Sequence, residues 1–304
     1  MNNLYTSLIS EIHELEQIIS VIPVENVIDR MSFETRLKTA KEELARLPQG
    51  EGAASARLIF RGKPVFGTHG ILADFGAKAA ALFSDVFSMV ISDTNETLSD
   101  SGPIPGRDAL PLLITGTAVG SFGFEFELPP KENSLFPDLV DSSENAVKKI
   151  KNLFRLAAEG SDDDITEHIA DMHHRTITKI HEFLNFMVQQ GAWCGLEFGD
   201  TSFRFIDLKQ IKYAASRFSD NNIQEYEEPY KGEFQGVLPT NRIFEFKLLT
   251  QDGVIRGKIN RAIDNPEAIN QKWLNKPVTA KFHVMKIGQG RPRYVLMSLN
   301  DISN

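Results

Sequence analysis

One cysteine, Cys194, stands in a chain of 304 residues. It cannot form an intramolecular disulfide or assemble a cysteine-based zinc site, so stability must come from ordinary burial. Such sparing cysteine use predicts a reducing compartment, the cytoplasm. Long apolar runs are missing too: nothing approaches the ~18 consecutive apolar residues of a membrane-spanning helix, and no membrane partner is expected. The opening MNNLYTSLISEIHELEQIIS has no basic leader, and Glu11, Glu14 and Glu16 interrupt its apolar positions, which argues against a signal peptide.

Catalytic signatures are equally scarce. GTHGILADFGAK has five residues between Gly70 and Gly76 and places Ala77 before Lys78, whereas a phosphate loop needs four and then Gly-Lys-Ser/Thr, so that amides and lysine converge on the phosphates. A tight turn entering a helix accounts for it. VGSFGFEFELP lacks the spacing of a dinucleotide fingerprint, and Gly120 and Gly123 suit a hairpin turn. No Gly-x-Ser-x-Gly elbow occurs. Cys194, directly after Trp193 at the head of a strand pattern, reads as a buried structural residue. No cofactor is expected, and binding is favoured over catalysis.

What is present suits a packed protein, with 41% hydrophobic residues and a net charge of -8. From Lys231 onward the charge is +6, which leaves -14 on residues 1–230. A basic tail on an acidic body fits an anionic partner, or attraction between the two parts.

Leu4, Leu8, Ile12, Leu15 and Ile19 recur at helical spacing, and a second helix is expected from an N-cap at Ser32 to Leu47, ahead of Pro48-Gln49-Gly50. This helical hairpin, residues 1–50, is too thin to bury its own stripe and must pack on the body or on a second copy, giving a homo-oligomer. The body, 51–218, reads as α+β. It has two strands around Arg61-Gly62, a buried helix through ILADFGAKAAALFSDVFSMVISD, a loop at 94–109, a hairpin at 113–128, and a helix from Asn145 closed by Gly160. A long helix from Asp162 to Gly191, a third hairpin around Gly199-Asp200 and a helix through LKQIKYAASRF complete it.

A polar linker is expected at 219–232. Residues 233–304 then give five strand patterns with one helix, NPEAINQKWL, between the third and fourth. This element order resembles the oligonucleotide/oligosaccharide-binding barrel, with an SH3-like barrel as competitor. In VTAKFHVMK, Val278, Ala280, Phe282 and Val284 point one way while Thr279, Lys281, His283 and Met285 point the other; Arg256 and Lys258 share a face by the same alternation. With Arg291, Arg293 and Tyr294 in and after the last loop, these cations predict a basic face. Its partner is either a protein or single-stranded nucleic acid, whose phosphates the cations would track and whose bases Tyr294 would stack. Lysine-rich sheet surfaces and core aromatics are also commonplace.

The alternative is a metal-dependent hydrolase or nuclease. In EHIADMHHRTITKIHEF, an unbroken helix would put Asp171, His174 and His181 on one polar face, with His168 a turn earlier. It is not the zincin motif, since Asn185 follows His181 by four residues. A solvated helix face explains the same residues.

Overall fold

The computed structural model describes residues 54–95, 97–99, 101–105, 107, 111–118, 122–128, 137–170 and 172–303. Ahead of them it describes 26–46 and residues 8, 11, 12, 14–16, 18, 19, 22 and 23. The fold is α+β and divides into two compact units: Met1–Ile91, Ile104–Asn152 and Phe183–Lys212 form one, and Ser92–Pro103, Leu153–Glu182 and Tyr213–Asn304 the other.

In the first unit the described residues from 8 to 19 are helical, and helix α1 spans Val27–Arg46. It starts ahead of Ser32, the expected cap, because Asn26 begins the helix itself: its carbonyl accepts the Arg30 N–H and its side chain donates to Asp29 Oδ2 at 2.7 Å. Ion pairs Arg36–Glu11 and Lys41–Glu16, at 2.6 and 2.7 Å, join the early helical segments.

A five-stranded antiparallel sheet follows, in the order β4-β5-β1-β6-β7. Its strands are β1 (Ser55–Gly62), β4 (Leu113–Thr117), β5 (Phe122–Glu127), β6 (Ala192–Phe198) and β7 (Thr201–Arg204). The hairpins β4–β5 and β6–β7 fall where the turn chemistry predicts them, although Gly120 lies outside the described residues. The expected hairpin around Arg61-Gly62 does not form: β2 (Val65–Phe66) pairs with β3 (Gly70–Ile71), because β5 and β6 already occupy both edges of β1.

Helix α2 (Ala73–Thr94) is the buried helix of the sequence pattern. Phe83, Val86, Phe87 and Val90 are fully buried, Phe83 lies 5.3 Å from Phe126, and Phe75 stacks on Phe186 at 5.5 Å. Each such ring contributes roughly 1.5–3 kcal/mol by leaving water. By length and composition α2 is also the one helix, among the described residues, apolar enough to cross a bilayer; two-thirds of that stretch is buried inside the protein, as in a core helix. Helix α3 (Pro137–Glu159) begins at Pro137 rather than Asn145, since proline suits a first helical position. Cys194 on β6 is buried, and that burial pushes its thiol up, away from any thiolate chemistry.

The second unit holds a closed barrel. Strands β8 (Ile223–Leu238), β9 (Ile243–Leu248), β10 (Val254–Ile259), β11 (Pro277–Ile287) and β12 (Arg293–Leu296) join in the ring β8-β9-β10-β12-β11-β8, and β13 (Ile302–Ser303) adds a sixth strand on β11. Among the described strands of the ring, β10 and β12 are the pair that runs parallel. Helix α6 (Leu208–Arg217) precedes β8, and helix α7 (Glu267–Trp273) sits between the third and fourth strands. This closed five-stranded barrel is consistent with the oligonucleotide/oligosaccharide-binding element order of the sequence. Phe234, Phe244, Phe246, Phe282, Val284 and Leu296 fill it.

Two expectations change here. Residues 223–232, expected within a linker, are the first part of β8 and pair with β11 from Ile223↔Ile287 to Gly232↔Val278. Both faces of 224–229 meet solvent, so no apolar alternation marks them. The long helix expected from Asp162 is two helices, α4 (Asp162–Ile169) and α5 (His174–Gln189). The break is tertiary in origin: Asp93 accepts the His173 N–H with both oxygens, at 3.1 and 3.2 Å, and so caps a new start.

Candidate functional site

The outer face of the barrel carries the residues singled out above, and each cation meets a carboxylate or carbonyl of its own chain. Arg256 pairs with Glu245 across β9–β10 at 2.8 Å. Lys281 pairs with Glu227 at 2.7 Å and Asp301 at 3.5 Å, so its ammonium is held above the usual lysine range by the Glu227 hydrogen bond. Lys258 donates to the Glu167 carbonyl at 3.5 Å, and Arg293 pairs with Glu167 at 3.2 Å. Arg291 lies 3.8 Å from Asp163.

The partners come mostly from α4. Its N-terminus is closed by a capping box, in which Ser161 accepts the Asp164 N–H while Asp164 accepts the Ser161 N–H. That frees Asp162 and Asp163 to accept the Gln289 and Arg291 N–H groups of the β11–β12 loop. Gly288 permits the approach, having φ +50° and a position where a Cβ would stand 2.6 Å from Asp162 Oδ2. Thr166 Oγ1 accepts the Ile287 N–H at 3.2 Å, and Met285, expected on the exposed basic face, is buried where α4 packs on β11.

Phe244 and Tyr294 both pack toward the barrel interior. Phe244 is in the barrel core. Tyr294 is half-buried, its ring 5.7 Å from Tyr230 and 6.3 Å from Phe282, and its side chain packs against that core.

The histidine cluster is dispersed. His168 Nδ1 lies 2.8 Å from the carbonyl of Asp164 in its own helix, His174 opens α5, His181 is half-buried two turns on, and Asp171 lies outside the described residues. Among the described residues no group of three or more His, Cys, Asp or Glu converges to hold a metal ion, so the hydrolase reading has no geometric support.

A different arrangement, not evident in the sequence, involves His174: its Nδ1 meets Glu225 Oε2 at 3.0 Å, while His283 Nε2 meets Glu225 Oε1 at 3.2 Å. The hydrogen bond from His283, followed by the charges and hydrogen bond of the two histidines, holds the Glu225 carboxyl below the usual range. Lys281 does the same for Glu227. A carboxylate whose folded pKa is depressed contributes stability above its unfolded value and loses it as pH falls through the folded one. The melting temperature should therefore drop on acidification below about pH 4, and Glu225→Gln should flatten that drop. An identical pH profile for the variant would show that the bridge contributes nothing.

Glu225 and Glu227 escaped sequence reasoning because their stretch read as linker; the alternation of these two glutamates opposite Lys281 and His283 was the available signal. Comparison with protein-family models, curated proteins and solved structures finds no match to this chain.

Proposed function

We propose that this chain is a binding or assembly protein whose barrel engages a protein partner through the outer face of β8, β9 and β10. The observation that carries this reading is the composition of that face. Three cross-strand rows run over it: Glu233–Lys247–Val254, Gly236–Glu245–Arg256 and Leu238–Ile243–Lys258. Leu238, Ile243 and Val254 are 58, 40 and 52% exposed. Charges of both signs interspersed with exposed aliphatic residues match a protein surface, in which apolar contacts supply affinity and ion pairs set register. A phosphate backbone would meet Glu233 and Glu245 among the cations, and would have to displace the carboxylates already on Lys281, Arg291 and Arg293.

A photo-crosslinking residue at Ile243 of the full chain, activated in cells, should trap a defined protein. Oligonucleotide titrations at low salt should show no affinity that falls with salt. Crosslinks to nucleic acid, or a log-log salt slope of about -0.7 per phosphate neutralised, would establish the nucleic-acid reading instead.

A further inference from the structure

Tyrosine is scarce, with five in the chain, yet Tyr230 and Tyr294 meet in the barrel and Tyr226 stands on the same face of β8 as Tyr230. Tyr226, Glu228 and Tyr230 share a face of β8 by alternation. Tyr226 and Tyr294 both stand opposite Val284, one from β8 and the other from β12. The rings of Tyr230 and Tyr294 are 5.7 Å apart and 82° from coplanar, so they form a corner. Phe282, fully buried, lies behind both, at 5.9 and 6.3 Å. Tyr226, 45% exposed, and Glu228, also exposed, stand on the solvent side.

The chemistry of the corner selects by charge. Burial pushes the Tyr230 and Tyr294 hydroxyls up, so both rings stay neutral phenols, and Tyr230 donates its hydroxyl to Glu228. The aromatic faces carry the negative side of the ring quadrupole and attract a cation within about 6 Å of a centroid. Glu228 is the carboxylate on the face of β8 that carries Tyr226 and Tyr230, since Glu225 and Glu227 face the other way toward His283 and Lys281. An anion is repelled by this set. A bare ammonium keeps its hydration, because Glu228 is one acceptor where the ion has three donors. A methylated ammonium sheds water more readily and places its methyl groups against the rings.

We propose that Tyr226, Glu228, Tyr230 and Tyr294 form a binding site for a methylated organic ammonium ion, supplied by a methylated lysine side chain or by a free quaternary ammonium compound. This site is separate from the β8–β10 outer face and does not depend on the partner reading given above. The competing explanation is that the tyrosines merely plug the barrel end.

Calorimetric titration of the full chain with tetramethylammonium, with a short trimethyllysine peptide and with the neutral peptide carrying a carbon in place of the nitrogen separates these. The cations should saturate with a Kd on the order of 1 mM or tighter, and the neutral isostere should bind at least about 10-fold more weakly. Tyr226→Ala should weaken the cations by roughly 2- to 30-fold, Glu228→Gln should weaken them as well, and Tyr226→Phe should retain binding. Because Tyr226 and Glu228 are exposed, these variants should melt with the parent. A peptide that binds more tightly than tetramethylammonium points to a lysine side chain, and equal affinities point to a free cation. Absence of saturation, equal binding of the neutral isostere, or undiminished affinity in Tyr226→Ala would overturn the proposal.

Discussion

Replacing Phe282 by alanine should cost about 3–5 kcal/mol of stability, a large share of the roughly 5–15 kcal/mol typical of a folded domain. Phe282 is fully buried at the centre of the barrel. Its ring stacks on Phe244 at 4.9 Å and meets Phe246 edge-to-face at 5.3 Å, with Tyr230 and Tyr294 completing the cluster. Truncation removes the transfer free energy of the ring and leaves a void that rings on three other strands cannot jointly fill. Urea unfolding followed by near-ultraviolet circular dichroism measures the loss. Ile243→Ala, on the outer face of the same sheet, provides the contrast and should shift the midpoint little. A loss for Phe282→Ala below about 1 kcal/mol would mean that the barrel is not packed around this ring.

Arg217→Ala should be comparably damaging, at about 3–5 kcal/mol. Arg217 is 3% exposed, and its guanidinium donates to Asp162 Oδ1 at 2.7 Å and to the Gly160 carbonyl at 2.6 Å, with longer bonds to the carbonyls of Leu156 and Ala157. One side chain thereby satisfies the last carbonyls of α3 and fixes Asp162, which in turn accepts the Gln289 N–H of the β11–β12 loop. Removing it leaves those acceptors without their donor in a region only partly open to water, and an unpaired buried group costs more than the net worth of its bond. Arg217→Lys should recover only part of the loss, because an ammonium cannot reproduce the planar fork that reaches carboxylate and carbonyls together. Thermal unfolding of both variants tests this; full stability in the lysine variant would reduce Arg217 to a simple charge.

Both residues illustrate what could be read from the chain. Phe282 was placed in the core by alternation along VTAKFHV, whereas nothing local to Arg217 distinguished it from any arginine at a helix end. The same division holds for the binding region. Arg256, Lys258, Lys281, Arg291 and Arg293 were identified as outward-facing and basic, and outward is where the strands put them. Arg256 meets Glu245 within the β9–β10 hairpin, but that Lys258, Lys281, Arg291 and Arg293 would meet Glu167, Glu227 or Asp163 depends on where α4 and the first half of β8 lie.

By itself the sequence determined the α+β class, the buried helix α2, and the five barrel strands with their single helix. These follow from periodicities of 2 and 3.6 and from Gly, Pro and Asp at the turns, signals carried within a dozen residues. Tertiary structure alone decided that β2 turns away from β1, that the helix after Asp162 breaks where Asp93 caps His173, that 223–232 is a strand and that Tyr230 meets Tyr294. In each case the deciding partner lies far along the chain. Asp93 reaches His173 across 80 residues and Glu225 reaches His174 across 51, and a polar strand with both faces solvated has no pattern of its own until its neighbour supplies the hydrogen bonds.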